Sequence, residues 1–116
     1  MSEFEYKETL PITRAEAEDY FVAGPREKIA DSLVRIAFYD PDWRWVRSKC
    51  LEFMQSPDSE IRSLAVTCLG HLARIHQKPE MRNLLPMLRE LSNDPDIGGV
   101  VEDAIEDIEM FTENEK

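Results

Sequence analysis

The sequence predicts an all-α protein, a short stack of about six helices, on three observations. Residues 56–76, SPDSEIRSLAVTCLGHLARIH, place Ile61, Leu64, Ala65, Cys68, Leu69, Leu72 and Ile75 at three- and four-residue intervals, the spacing that lines one face of an α-helix. The tripeptides DPD at Asp40, SPD at Ser56 and DPD at Asp94 each stand before an apolar-periodic segment. A shift of about 39 residues superposes Ile61 on Val100, Ala65 on Ala104, Val66 on Ile105, Leu69 on Ile108 and Leu72 on Phe111. Such a match is hard to obtain from composition, and its period is that of paired helices stacked in a row.

Residues 1–12 have no sustained period and read as an N-terminal arm in which Phe4, Tyr6 and Leu10 are docking points. Residues 13–112 read as one helical domain and 113–116 as a polar tail. Thr13 and Glu16 make a capping box, which starts a helix from Arg14 to about Val22. Gly24-Pro25 closes it and opens a second, to about Tyr39, whose stripe is Ile29, Leu33, Ile36 and Ala37, widened by Ala30 and Val34. A third, from about Pro41 to Gln55, puts Trp43, Val46, Cys50, Phe53 and Met54 on one side; Trp45 lies off that side, near Ser48, Lys49 and Glu52.

The fourth helix is expected to start with Ser56 as its cap, Pro57 in the first turn, and Asp58 and Glu60 at the positive end of the dipole. Its other faces carry Ser63, Val66, Thr67, Gly70 and Ala73, with charge beyond Glu60 only at Arg62 and Arg74, so it is read as the central helix, enclosed on more than one side. After a turn at Gln77–Glu80, a fifth helix to about Ser92 carries Leu84, Leu85, Leu88 and Leu91. Pro86 within it either removes a hydrogen bond and kinks the helix or moves its start towards Leu85. A sixth helix runs from about Ile97 to Thr112, with Val101, Ala104, Ile105 and Ile108 inward.

The segment SPDSEIRSLAVTCLGHL resembles the second-helix pattern of a HEAT repeat: an acidic turn containing proline, an apolar residue followed by Arg, then small-apolar spacing that ends in Leu-Gly. DPDWRWVRSKCL partly repeats it, with Val46-Arg47-Ser48 matching Ile61-Arg62-Ser63. The last unit departs from it: Val101 stands where Arg would be, Gly98-Gly99 weakens the first turn, and there is no Leu-Gly. The resemblance covers roughly Pro25 to Phe111 and implies a short α-solenoid with degenerate terminal units. It also implies a structural ladder in which the turn carboxylates Asp42 and Asp58 meet Arg47 and Arg62.

The charge is −10 at pH 7, with a pI near 4.6, which disfavours free nucleic acid or an anionic membrane as direct ligand and favours a basic partner. No apolar run approaches a membrane span, and the acidic N-terminus lacks a signal peptide's order, so a cytoplasmic protein is expected. Cys50 and Cys68 fall on core faces and read as buried thiols. His71 and His76 lie about 140° apart around one helix, too far for a shared metal. There is no CxxC, phosphate loop or nucleophile elbow, so neither enzyme activity, metal nor cofactor is expected.

Placement of charge is more informative. Glu102, Glu106, Glu109 and Glu113 fall within about 60° of one another on the sixth helix, with Asp103 and Asp107 on the other flank. Like charges four residues apart each disfavour an isolated helix by about 0.2–0.5 kcal/mol, and acids at its C-terminal end oppose the dipole. Two roles account for the stripe: a capping face whose charge prevents end-to-end stacking, or a docking surface for a basic partner. Trp45 either fills a groove against the neighbouring helix or stands exposed near Arg44 and Asp42 as an interface anchor.

An acidic solenoid of this size resembles the small immunity proteins of bacterial toxin–immunity pairs, including those of contact-dependent growth inhibition. That resemblance implies a monomer that covers the basic active site of a toxin nuclease, with Glu102, Asp103, Glu106, Glu109, Glu113, Asp42 and Trp45 as partner-binding residues. The alternative is a HEAT-like accessory protein, of lyase or scaffold type, that binds a small cofactor or another cellular protein; action on DNA or a cofactor needs a basic groove or an aromatic pocket.

Overall fold

The computed structural model describes residues 10–113; Phe4, Tyr6 and residues 114–116 lie outside them. The described residues form α1 (Arg14–Ala23), α2 (Arg26–Tyr39), α3 (Trp43–Phe53), α4 (Ser59–His76), a 3₁₀ segment (Pro79–Leu84), α5 (Leu85–Leu91) and α6 (Gly98–Phe111), with no strand among them. The Thr13–Glu16 capping box forms in both directions and starts α1. Pro86 takes the second position of α5, where its missing N–H has no intrahelical partner to lose, and Pro79 to Leu84 winds as 3₁₀ instead.

Each x-Pro-Asp tripeptide folds alike. The side chain of its first residue accepts the N–H of its third: Asp40 from Asp42 at 2.8 Å, Ser56 from Asp58 at 3.0 Å, Asp94 from Asp96 at 2.7 Å. This local turn corrects the expected start of α4. Ser56 is occupied by the turn, and Asp58 caps the helix by accepting the N–H groups of Glu60 at 2.9 Å and Ile61 at 3.4 Å. Asp42 caps α3 in the same way through the Trp45 N–H, at 3.1 Å. At the third turn Asp94 also accepts the Ile97 N–H at 3.3 Å, and α6 opens at Gly98, where a Cβ would stand 2.6 Å from the Ser92 carbonyl oxygen.

The helices form two layers. α2, α4 and α6 lie side by side and parallel: Leu33 O accepts from the Cys68 thiol, Phe38 stacks on His71, Arg62 reaches Asp96 and Arg74 reaches Asp107, all at sequence separations of 33–35. α1, α3 and the 3₁₀ segment make the second layer, joined by Arg14–Asp42, Lys49–Glu18, the stacked rings of Phe21 and Phe53, and Arg44–Glu80. The result is a row of three helical hairpins.

α4 packs against α2, α3 and α6. Its residues Ala65, Val66, Cys68, Leu69, Leu72 and Ala73 are fully buried, and one core cluster runs from Ala17 to Ile108. Gly70 leaves room for the Asp107 carboxylate of α6, one oxygen of which would lie 2.7 Å from a Cβ there. Ile75, expected in the inward stripe, is 43% exposed. α2 ends at Tyr39, one residue after the Phe38 ring that stacks on His71, so α4's next turn has no α2 beside it. Cys50 and Cys68 are free and buried, and the Cys68 thiol beside Cys50, with burial, pushes the Cys50 thiol well above its usual range.

Leu69→Ala and Leu72→Ala should each destabilise the fold by about 2–5 kcal/mol, whereas Ile75→Ala should change it by only about 0.5 kcal/mol, as read from urea unfolding. The fully buried Ser32 hydroxyl on α2 has no hydrogen-bond partner among the described residues. Ser32→Ala should therefore raise the urea midpoint, since it removes an uncompensated polar group without removing a bond.

Candidate partner-binding surface

α6 contains six carboxylates with the residue that follows its cap and no basic residue between Gly98 and Glu113. Its Val101, Ala104 and Ile108 are buried against α4 and α5, which turns the acids outward. Two of them are neutralised. Asp107, at the α4 seam, accepts from Arg74 at 3.1 Å, and Glu109 accepts from Arg89 of α5 at 2.6 Å. Glu102, Asp103, Glu106 and Glu113 are exposed and make no ion pair among the described residues. Glu106, Glu109 and Glu113 border a shallow depression together with Met110 and Arg82, whose guanidinium donates to the Glu109 carbonyl.

Elsewhere the cations sit on the seams. Arg26 of α2 holds both Asp58 and Glu60 at the start of α4, and Arg62 of α4 holds Asp96 before α6. The Arg26 hydrogen bond draws the Asp58 carboxyl below its usual range, and Arg14 does the same to Asp42. The residues expected as a ladder are thus distributed over several pairs. Asp42 meets Arg14, Asp58 meets Arg26, Arg62 meets Asp96, and Arg47 lies over the Trp43 ring at 4.9 Å. The reason is register: the parallel layers bring each helix-start acid to the arginine near the start of the preceding helix in its layer.

Trp45 is half-buried, with the Arg14 guanidinium 4.1 Å above its ring. Trp45 and Asp42 therefore belong to the α1–α3 seam in one layer, while Glu102, Asp103, Glu106 and Glu109 share α6 in the other, with Glu113 just past its cap. Among the described residues no group of His, Cys, Asp or Glu is placed to hold a metal ion, and no helix is long and apolar enough to cross a membrane. The surface can attract and orient a cationic body, which requires only fixed charge on a rigid helix.

This architecture, paired helices in two layers with an acid-capped turn before each helix of the α4 type, is that of a HEAT-repeat protein, and residues 46–76 match the HEAT repeat family. A chain in the crystal structure of a CDI complex from Cupriavidus taiwanensis LMG 19424 is 33% identical to this one. The two superpose with a TM-score of 0.80 over 92% of this chain and 96% of that one. The protein belongs to the same family of HEAT-repeat proteins as that chain of the CDI complex. No curated protein sequence matches it.

His71 is held partly buried against Phe38, and burial followed by the neighbouring Arg74 lowers its pKa below the ordinary 6.5, with Asp107 acting the other way. His76 is lowered by burial and by Lys78, against Asp40. The unfolded chain therefore takes up protons on these histidines at a pH where the folded chain does not. Stability should fall as pH drops below 6.5, and the double variant His71→Gln/His76→Gln should flatten urea midpoints measured between about pH 7.5 and 5.5.

Proposed function

We propose that this chain is the immunity protein of a contact-dependent inhibition pair, a binding protein with no chemical step of its own. In this reading it neutralises a cognate toxin, a nuclease, by laying the acidic face of α6 over the toxin's basic active site. The observation that carries the reading is the likeness, over nearly the whole of both chains, to a chain of a CDI complex. The unpaired carboxylates Glu102, Asp103, Glu106 and Glu113 support the choice of face.

The physical argument is competition. A nuclease site holds phosphates with Lys and Arg, and carboxylates on a rigid helix can occupy those cations in place of nucleic acid. Exposed charge of this kind accelerates encounter and fixes orientation, and both effects weaken with salt. The acids at the C-terminal end of α6 oppose the dipole, and the α6 acids oppose one another, a local penalty that a use outside the fold accounts for.

Co-expression with the toxin encoded beside its gene should restore growth of a susceptible cell. Glu102→Lys with Glu106→Lys should abolish that rescue while leaving thermal stability equal to or above the parent's, because the like-charge contacts of residue 106 with Asp103 and Glu109 become opposite-charge ones. Full protection by the double variant would remove α6 from the interface.

A further inference from the structure

Most aromatic rings of this fold are covered. Trp43 is buried, Trp45 lies under Arg14, and Phe21 and Phe53 pack on each other at 5.1 Å. Phe38 and Tyr39, at the C-terminal end of α2, are 39% and 48% exposed, and their ring centres lie 6.5 Å apart. Phe38 stacks on His71 of α4 at 4.8 Å, and one turn beyond His71 stands Ile75, 43% exposed. Neither Phe38 nor Ile75 is needed to fill the core, whose α2 and α4 stripes are Leu33, Ile36, Ala37, Leu69 and Leu72. Together they make a contiguous apolar patch at one end of the parallel layer.

The patch is continuous with the acidic helix. Arg74 touches His71 and also binds Asp107, so a line of contacts runs from Phe38 through His71 and Arg74 to α6. One turn before Asp107 on α6 is the unpaired Asp103, and beside it is Glu106. A body held by those carboxylates, lying across the layer, also covers Phe38. Protein interfaces gain most of their affinity from a few desolvated apolar or aromatic anchors, while exposed charge sets encounter and specificity. α6 supplies the second of these and lacks the first, since Met110 is its one large exposed apolar side chain.

We propose that Phe38, with His71 and Ile75 around it, is the apolar anchor of the partner interface. The occupant is the cognate toxin domain, which presents there an apolar side chain flanked by lysine or arginine towards Asp103 and Glu106. The proposal rests on the reading of the chain as an immunity protein, and it divides the interface into an electrostatic half on α6 and a desolvated half on α2 and α4. The halves differ in kinetics: the acids govern the on-rate and its salt dependence, and the anchor governs the off-rate.

The test is surface-immobilised binding of the full chain to the toxin domain encoded beside its gene, with thermal melting of every variant. Phe38→Ser and, on the other helix, Ile75→Ser should each raise Kd at least tenfold through a faster off-rate, with the salt slope unchanged. Glu102→Lys/Glu106→Lys should instead lower the on-rate and flatten the salt slope. If the charge-reversed protein loses binding while both serine variants, melting like the parent, bind within twofold of it, the anchor is overturned and the immunity reading stands. If Phe38→Ser melts early, Ile75→Ser decides alone. If the parent itself does not bind, the immunity reading fails and the anchor with it. A parent that sediments as a dimer, dissociated by Phe38→Ser, assigns the patch to a second copy and also overturns the proposal.

Discussion

Enclosure of α4 on three sides is the constraint from which the other features follow. An eighteen-residue helix can be surrounded only if its faces are small or apolar, and Ala65, Cys68, Gly70 and Ala73 let α2, α3 and α6 approach its backbone closely. Once α4 is central, α2 and α6 must flank it in one layer and α3 must close it from the other. The two-layer row is then the arrangement that buries all their stripes together, and Asp107 is brought against Gly70, where only hydrogen stands in its way.

That arrangement also disposes of the charge. The chain has 14 lysines and arginines against 24 acids, and the parallel registers bring arginines to the seams, where helix-start carboxylates await them. Exposed pairs of this kind contribute little to stability. The last helix has a seam on only one side within its layer. Among the described residues its acids are therefore ion-paired only towards α4 and α5, by Arg74 and Arg89, and the outer carboxylates are left for something else.

Much of this was legible in the chain. Periodicity marked the helices because each buries a stripe, and it marked α4 as central because its polar faces are small. The repeated tripeptides located the turns but misassigned the cap: a serine and an aspartate two residues apart can each start a helix, and only the folded turn decides that Ser56 takes the Asp58 N–H while Asp58 takes those of Glu60 and Ile61. Ile75 fitted the stripe by spacing, and its exposure depends on where α2 stops, a fact of the neighbouring helix. The α6 acids were visible as a stripe from the 3.6-residue turn alone. Which of them are neutralised was not, because Arg74 and Arg89 reach them across tertiary seams. Phe38 was the clearest omission, and its offset from the Leu33, Ile36 and Ala37 stripe was the available signal.

The edge position of α6 bears on how such a protein changes over generations. In a row of hairpins each unit leans mainly on its neighbours, so substitutions on the outward side of the terminal helix perturb little beyond themselves. Residues such as Glu102 and Glu106 can drift almost neutrally with respect to folding while the inner side, Val101, Ala104 and Ile108, stays under packing constraint. A scaffold with one free flank can thus follow an altering opponent by rewriting that flank, without renegotiating its interior.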